Sequence, residues 1–325
     1  MTKAESSSTT EKFVVEDLKI RLDKFLAQKL PEMSRSKIQR DIENSLVTVN
    51  GEIDTLPHRA VKKDSVIVYS PSPAAEKPQP INIPIKTLYN NHGLLIIDKP
   101  AGLVVHPGAG FKGDSLAQAL LYHFKDIHLV GEEERHGIVH RLDKDTSGVI
   151  LVALTQPMYE HLKDAFLERK VKKEYIALVR GNMPNSHGTF DQPMGKSKND
   201  FRKHTIKKSD MGIPKPALTE YEVLEHLSFQ LPGGLDEYTL VVVKLHTGRT
   251  HQIRVHFSSA GFPLAGDELY GGKNVMKLGL LRQFLHAKKI EVQLPDESWI
   301  EAESEFPKDL KEILTKLNSK KVNLL

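Results

Sequence analysis

The stretch His140-Arg-Leu-Asp143-Lys-Asp145-Thr-Ser147-Gly148-Val-Ile-Leu-Val-Ala153 joins a loop rich in ionisable side chains to an apolar run that is typical of a buried strand. Loops held by a rigid scaffold often carry the groups that perform a protein's chemistry. Asp143 is therefore the first candidate for a catalytic carboxylate.

Two other interpretations of this loop exist. Asp143, Asp145, Ser147 and Gly148 occupy the first, third, fifth and sixth positions of a calcium-binding loop, whose twelfth position should be a bidentate Glu. Leu154 stands at that twelfth position, so calcium binding is disfavoured. An ordinary solvated turn before a strand is the commoner meaning of such a sequence, and the loop alone leaves it open.

Composition limits the class of protein. With 325 residues, 39% hydrophobic and 27% charged, the chain can form one large core and a small second domain. The absence of cysteine excludes disulfides, thiolate zinc sites and cysteine nucleophiles. Residues 1–15 are polar, and no stretch approaches the roughly 18 apolar residues of a membrane span. We therefore expect a disordered tail over 1–15, no membrane contact and a cytoplasmic location.

The net charge of +4 is unevenly distributed along the chain. Between Arg169 and Lys208, eleven Lys and Arg stand against three acids, Glu174, Asp191 and Asp200. A solvated charged face is the ordinary meaning of such a run. Because this run flanks the acidic loop, a phosphate backbone is the better interpretation.

Residues 16–72 predict a small domain of two helices and a hairpin. The apolar positions at helical spacing are Leu22, Phe25, Leu26 and Leu30, then Ile38, Ile42 and Leu46 after a possible Ser34 cap. An Asn50-Gly51 turn follows the alternating strand at 47–49, and Val66–Val68 predicts a later strand. A proline-rich linker over 73–84 then separates this domain from a second one over 85–325.

The second domain is predicted to be α+β, with a largely antiparallel mixed sheet and flanking helices. Strands are expected at 94–97, 149–154, 175–179, 219–224, 238–245 and 289–294. Helices are expected at 115–124, 157–168, 250–260 and 308–317, the third capped by Thr250 and closed at Gly261.

Five motifs in order resemble the RluA family of pseudouridine synthases. They are the segments 97–107 (IDKPAGLVVHP), 140–148 (HRLDKDTSG), 173–177 (KEYIA), 247–256 (TGRTHQIRVH) and 263–272 (PLAGDELYGG). The N-terminal domain resembles an S4 RNA-binding module. The resemblance implies the pseudouridine synthase fold, with a cleft across the sheet, and no cofactor.

The resemblance also implies roles for individual residues. Asp143 would be the catalytic residue, and Arg254 would pair with it, whereas phosphate binding is the plainer role of an arginine there. Tyr175 would stack on the target base and could also remove a proton, although a half-buried strand aromatic needs no such role. Arg141 would fill the gap left by a flipped base, while a salt bridge to Asp143 or Asp145 is equally plausible.

Candidate RNA contacts are cations near these motifs or on the second helix of the S4 module: Arg35, Lys37, Arg40, Arg141, Lys172, Lys173, Arg202, Lys203 and Arg249. The histidines at 246, 251 and 256 lack the spacing of a helical zinc pair and an acidic ligand nearby, so we expect no metal.

The expected function is therefore the isomerisation of uridine to pseudouridine in large-subunit (23S) ribosomal RNA by a monomer, on free rRNA or a pre-ribosomal particle, as in the synthase D subgroup (RluD-like). A synthase C-like or tRNA-directed enzyme is the alternative within the family. A non-catalytic rRNA-binding or ribosome-assembly factor, and a metal-dependent phosphatase or nuclease using Asp143 and Asp145, are the alternatives outside it.

Overall fold

The computed structural model describes residues 10–33, 35–70, 78–106, 113–132, 135–231, 234–272 and 278–322. The chain divides into two compact units, Met1–Lys77 and Pro78–Leu325. The described residues include no helix with the length and apolar character needed to cross a membrane.

The first unit contains the two predicted helices, α1 (Leu22–Lys29) and α2 (Arg35–Glu43), packed on short strands. These strands are β1 (Glu11–Val14), β2 (Lys19–Arg21), β3 (Val47–Val49), β4 (Glu52–Ile53), β5 (Ala60–Lys62) and β6 (Val66–Tyr69). Four of them form a sheet in the order β1-β6-β3-β4, and β2 pairs with β5. Positive φ angles at Asn50 (54°) and Gly51 (85°) make the tight turn between β3 and β4, as predicted.

One boundary in this unit differs from the expectation. The tail predicted over 1–15 includes β1, which pairs antiparallel with β6 from Glu11↔Tyr69 to Val14↔Val66. Phe13 packs edge-on against Phe25, so this strand has an apolar contact that the polar composition of the segment concealed. Residues 1–9 and the predicted helix cap Ser34 lie outside the described residues.

The second unit is built on a sheet of nine described strands in the order β11-β14-β15-β10-β16-β9-β8-β7, with β17 beside β16. These strands are β7 (Lys86–Asn91), β8 (Leu94–Lys99), β9 (Ser147–Ala153), β10 (Lys172–Arg180), β11 (His187–Phe190), β14 (Thr219–Leu231), β15 (Gly234–Leu245), β16 (Leu285–Gln293) and β17 (Trp299–Glu303). Among them, β9 and β16 pair in parallel and the other pairs are antiparallel. A two-stranded hairpin, β12 (Gly195–Lys196) and β13 (His204–Thr205), stands apart from the sheet. The α+β class is thus confirmed.

Helices cover both faces of the sheet. They are α3 (Leu116–His123), a 3-10 turn (Ile127–Leu129), α4 (Gln156–Leu167), α5 (Gln252–Ser259), α6 (Glu268–Gly271) and α7 (Lys308–Lys316). Alternate residues of β10 face different cores: Tyr175 and Ala177 join the core with α3 and α4, while Ile176 and Leu178 join the core with α7. Burial on both faces explains why this central strand is continuously apolar.

The register of the sheet makes residues of the sequence motifs cross-strand neighbours. Lys99 on β8 is opposite Gly148 on β9, which is opposite Ala287 on β16. Ala287 is in turn opposite Tyr175 on β10, and Tyr175 is opposite Val243 on β15. The start of β9, the end of β8 and the end of β15 therefore meet at one edge of the sheet.

Gly148 permits the close approach of β9 to β16. Its φ is +117°, and a Cβ added there would lie 2.1 Å from the carbonyl oxygen of Ala287. By contrast, Gly102 has φ +87° but open space around the position of its missing Cβ. We predict that Gly148→Ala lowers the free energy of unfolding by roughly 2–4 kcal/mol through steric overlap and backbone strain. Gly102→Ala, which adds strain alone, should cost only about 1 kcal/mol.

Urea denaturation followed by the fluorescence of Trp299 checks this prediction, because Trp299 is the sole tryptophan of the chain and belongs to β17 of the same sheet. Equal losses of stability in the two variants would show that the contact with β16 does not set the need for glycine.

Candidate active site

A buried lysine holds the loop that contains Asp143. The Nζ of Lys99 donates hydrogen bonds to the carbonyl oxygens of Pro100 and Leu103, at 2.8 Å each, and of Lys144, at 3.0 Å. The Lys99 side chain is fully buried, and burial lowers its pKa to about 7 although the charges of the acidic loop act in the opposite direction. One ammonium group thus ties the end of β8 to the loop.

A second cation holds the loop from another side. Nη1 of Arg282 donates to the carbonyl oxygen of Asp145 at 3.1 Å. The same guanidinium binds both carboxylate oxygens of Asp309, on the first turn of α7, at 2.6 and 3.0 Å. Gln283 Nε2 donates to Thr146 Oγ1 at 3.1 Å. The backbone that follows the candidate carboxylate is therefore bound by residues from the far end of the chain.

His140, which opens the motif, has a structural contact. Its Nε2 accepts a hydrogen bond from the backbone N–H of Leu151 on β9 at 2.8 Å, and its ring packs at a tilt against Phe166 of α4, with the ring centroids 4.7 Å apart. Burial lowers the pKa of His140 to about 3, so the ring is neutral at pH 7. His140 therefore attaches the loop to the sheet and is not available as an acid.

Arg254 is aimed at Asp143 by a second carboxylate. The Nε and Nη2 atoms of Arg254 bind the two carboxylate oxygens of Asp267 at 2.7 and 2.9 Å. Asp267 also accepts hydrogen bonds from the backbone N–H groups of Leu269 and Tyr270, at 3.1 Å each, and so caps the N-terminus of α6. The remaining Nη1 of Arg254 donates to Asp143 Oδ2 at 3.1 Å.

The two carboxylates that bind Arg254 differ in their exposure to solvent. The Asp267 side chain is fully buried, whereas that of Asp143 keeps 16% of its surface exposed. Burial alone would lower the pKa of Arg254, but its bonds to Asp267 and Asp143 outweigh that effect and raise the pKa. Asp267 orients the guanidinium, and Asp143 is the carboxylate that a substrate can reach.

The start of α5 differs from the expected cap. The residue before the helix is His251, in the left-handed region at φ 59°, and it makes no side-chain cap. Thr250 is therefore not the N-cap. Instead, the Gln252 side chain turns back and accepts from Thr247 Oγ1 at 2.8 Å and from the N–H of Arg249 at 3.0 Å, which forces the sharp entry to the helix. Arg254 is the third residue of α5 and therefore lies on its first turn.

Tyr175 lies beside this carboxylate on β10. Its side chain is 7% exposed, and burial, reinforced by the charge of Asp143, raises its pKa well above its ordinary value. The phenol is therefore neutral at pH 7. A neutral buried phenol suits stacking on a base better than proton abstraction.

Lys173 is two residues earlier on the same strand. Its Nζ lies 5.5 Å from the ring centroid of Phe166, and burial lowers its pKa to about 8. A partly desolvated ammonium is a strong attractor for a phosphate group. Among the predicted RNA contacts on β10, Lys173 is the one with this environment.

The other predicted RNA contacts of the second unit differ in their neighbours. Arg141 is exposed and, within the described part of the chain, has no carboxylate partner, so the salt bridge to Asp143 or Asp145 is not formed. Arg249 is exposed and donates to the Pro216 carbonyl oxygen at 3.1 Å. Arg141 presents a cation on the acidic loop, and Arg249 presents one just before α5.

Two of these cations are held by acids. Lys172 binds Glu291 at 2.8 Å and lies over Trp299. Arg202 binds Asp200 through two hydrogen bonds, at 2.9 and 3.0 Å. Lys203, beside Arg202, instead lies 6.0 Å from the ring centroid of Tyr270. The hairpin thus places Lys203 at the site.

In the first unit, α2 carries the three predicted contacts. Arg35 Nη2 binds the buried carboxylate of Asp23 at 2.8 Å and remains about half exposed. Burial acts to raise the pKa of Asp23, but hydrogen bonds from Arg21, Gln39 and Arg35 hold it well below its usual range. Lys37 is exposed, and the side chain of Arg40 lies outside the described residues.

The site does not have the composition of a metal centre. Asp143 is engaged by a guanidinium, and the described residues contain no cluster of three or more His, Asp or Glu with the geometry to hold a metal.

Four residues of the site were not identified as functional from the sequence: Lys99, Asp267, Tyr270 and Arg282. Lys99 lies in the segment 97–107, and Asp267 and Tyr270 lie in the segment 263–272. Their presence in these family-like segments was the available signal. Nothing in the sequence indicates the contact between Arg282 and a loop 137 residues away.

Comparison with known proteins agrees with this geometry. The family model for RNA pseudouridylate synthase matches residues 93–259, and the model for the S4 domain matches residues 20–67. The chain therefore belongs to the RNA pseudouridylate synthase family and carries an S4 domain, which confirms the resemblance and the enzyme class.

Individual relatives extend over most of the chain. An uncharacterised RNA pseudouridine synthase of Aquifex aeolicus is 43% identical over 81% of this chain and 80% of its own length. The ribosomal large subunit pseudouridine synthase D of Nitrosomonas europaea is 38% identical over 95% of this chain and 88% of its own. The solved structure of human RNA pseudouridylate synthase domain containing 1 superimposes with a TM-score of 0.57 at 30% identity, covering 69% of this chain and 84% of that one.

The two arginines of the 247–256 segment provide a matched test. We predict that Arg254→Gln lowers the single-turnover rate of pseudouridine formation at least about a hundredfold, because it removes the cation that Asp143 and Asp267 share. Arg249→Gln should leave that rate within about threefold and weaken RNA binding instead, because the Arg249 side chain is exposed and, among the described residues, donates only to a backbone carbonyl oxygen. Comparable losses of rate in both variants would contradict these separate roles.

Proposed function

We propose that this enzyme isomerises specific uridines of large-subunit ribosomal RNA to pseudouridine, with Asp143 as the essential carboxylate. The observation that carries the proposal is the contact of 3.1 Å between Arg254 and a partly exposed Asp143, beside the buried ring of Tyr175. The choice of large-subunit rRNA rests on the similarity to relatives named ribosomal large subunit pseudouridine synthase D, at 35–38% identity.

The chemistry requires few groups. The bond from ribose C1′ to N1 of uracil breaks, the base rotates, and C1′ bonds to C5, while N1 gains a proton and C5 loses one. Nothing is oxidised, so neither a redox cofactor nor an energy source is needed. A carboxylate acts as nucleophile or base, and a closed pocket retains the detached base.

The surrounding residues suit this reaction. Arg254 compensates the charge of Asp143 where water is largely excluded, and it is itself oriented before the substrate arrives. Tyr175, a neutral phenol, provides a ring on which uracil stacks. Arg141 is exposed beside the loop and can fill the space left by the flipped uridine.

RNA binding would draw on both units. Lys173, Lys203 and Arg249 surround the site, and Arg202 adds a cation whose carboxylate partner a phosphate can replace. In the S4 domain, Arg35, Lys37 and Arg40 share α2. We propose that this helix contacts the rRNA backbone outside the target nucleotide.

The alternatives are less well supported. A non-catalytic assembly factor would not need the clamp of Arg254 between Asp267 and Asp143, which is complete. A synthase C-like or tRNA-directed enzyme would share the same site and differ only in the RNA. We propose a monomer acting in the cytoplasm, on free rRNA or on an assembling particle.

The role of Asp143 is tested by Asp143→Asn. This change removes the reactive carboxylate but keeps the size of the side chain, so we predict that isomerisation is abolished while RNA affinity stays within about tenfold. Tritium release from large-subunit rRNA labelled at uridine C5, in the presence of chelator after the RNA has folded, measures the reaction, and carbodiimide mapping locates the product. Activity of the variant, or no release by the wild type from rRNA, would refute the proposal. Release from tRNA alone would favour the tRNA-directed alternative.

The S4 contact is tested by Lys37→Gln, compared with Lys163→Gln. Lys37 is exposed on α2, the helix proposed to contact RNA, whereas Lys163 is an exposed lysine on α4, outside that helix. We predict that Lys37→Gln reduces the slope of log affinity against log salt by about one, since one phosphate contact is lost. Lys163→Gln should leave the slope unchanged. An unchanged slope for Lys37→Gln in rRNA binding assays would exclude this side chain from the contact.

A further inference from the structure

A tyrosine hydroxyl lies between the basic hairpin and the residue that precedes α5. The oxygen of Tyr270 accepts a hydrogen bond from the backbone N–H of His204 on β13 at 2.8 Å. The same hydroxyl lies 2.8 Å from Nδ1 of His251. The proposed function assigns no role to this pair.

The hydrogen bonds of Tyr270 favour one tautomer of His251. The hydroxyl of Tyr270 has one hydrogen to donate, and Nδ1 of His251 is the acceptor within reach in the described site. An Nδ1 that accepts this hydrogen carries no proton of its own. With Nδ1 as the acceptor, the proton of the neutral ring is on Nε2, which lies 3.9 Å from Oδ1 of Asp143.

The surroundings keep this ring neutral. Burial lowers the pKa of His251. The charges that face it are opposed: Asp143 on the loop and Asp267 before α6 act to raise the pKa, while Arg254 on α5 and His204 on β13 act to lower it. A neutral ring with Nε2–H is a donor aimed at a carboxylate.

The backbone gives independent support. His251 has φ 59° in the left-handed region, which few non-glycine residues adopt, although histidine does so more readily than most. Strain of this kind persists where surrounding contacts impose it, and it is concentrated at functional sites. Here it directs the imidazole towards Asp143 instead of towards solvent.

Building on the proposed function, we propose that His251 is a positioning residue that acts through Asp143. Arg254 holds Oδ2 of that carboxylate, and the Nε2–H of His251 holds Oδ1 once the distance shortens by roughly 1 Å in the complex with RNA. With both oxygens bound, the carboxylate is held in one orientation towards the target nucleotide. Tyr270 acts one step further away, by keeping the proton on Nε2.

Two substitutions of His251 separate donation from backbone effects. Asn tolerates the left-handed region and can reach Tyr270, but it is too short to reach Asp143. Gln is long enough to present its amide N–H to Asp143. We predict that His251→Asn lowers the single-turnover rate about tenfold or more without changing RNA affinity, and that His251→Gln restores it to within about threefold of the wild type. Equal rates in the two variants would overturn the proposal.

A double-mutant cycle tests the link to Tyr270. Tyr270→Phe keeps the ring, which lies 5.1 Å from the Arg254 guanidinium, and removes only the hydroxyl. The rate should fall about threefold to tenfold in the wild-type background, but it should not fall in the His251→Gln background, where no tautomer has to be set. Equal effects of Tyr270→Phe in both backgrounds would show that the hydroxyl acts independently of His251.

The tautomer itself can be observed without substrate. In protein labelled with 15N-histidine, the His251 signals, assigned by their loss in His251→Gln, should have the shifts of a neutral ring protonated at Nε2 at pH 7. A ring protonated at Nδ1, or an imidazolium, would overturn the proposal even if the enzyme is fully active. Inactive wild-type protein on every RNA tested would instead refute the proposed function and leave this spectroscopic result standing.

Discussion

The Arg254 guanidinium, shared between a fully buried Asp267 and a partly exposed Asp143, is the interaction on which the site depends. A buried cation is costly unless several acceptors compensate its lost hydration. Asp267 provides two of these acceptors and is itself fixed by the backbone of α6. The direction of the third donor, Nη1, is therefore set without RNA, and Asp143 does not have to organise its own partner.

The sheet explains why such a clamp can be assembled from distant segments. Four neighbouring strands have cross-strand partners at Lys99, Gly148, Ala287 and Tyr175. The loops that follow or precede these positions therefore meet at one edge of the sheet. Buried polar contacts then hold the acidic loop, with Lys99 on one side and Arg282 on the other. Such networks are favourable only when each member is satisfied, which ties the geometry of the loop to the integrity of both β8 and α7.

Six strands and four helices of the second unit were predictable because their apolar periodicity reflects burial against a core. Most of their observed ends lie within four residues of the predicted ones, but β14 extends to Leu231, seven residues beyond the expected end. The strands β7, β11, β12, β13 and β17 and the short helix α6 were not predicted. Asp143, Tyr175 and Arg254 were identifiable because each lies in a short motif. The contacts that position them were not: Asp267 approaches Arg254 through the fold of α6, and Arg282 reaches the acidic loop across 137 residues. Local propensity also favoured Thr250 as a cap, but the side chain of Gln252 turns the chain one residue later.

Several cations outside the clamp are also paired with acids, and this affects how RNA would be selected. Arg35 is held by Asp23, Arg202 by Asp200 and Lys172 by Glu291. A phosphate that binds such a cation replaces an existing carboxylate contact, so the net gain in free energy is smaller than for an unpaired cation. The carboxylates hold the cations in fixed places at the same time, which reduces the entropy lost on binding. We therefore expect moderate affinity from contacts with the phosphate backbone. Discrimination would then fall to the pocket around Asp143, where the proposed function requires the uridine to flip and its base to fit beside Tyr175.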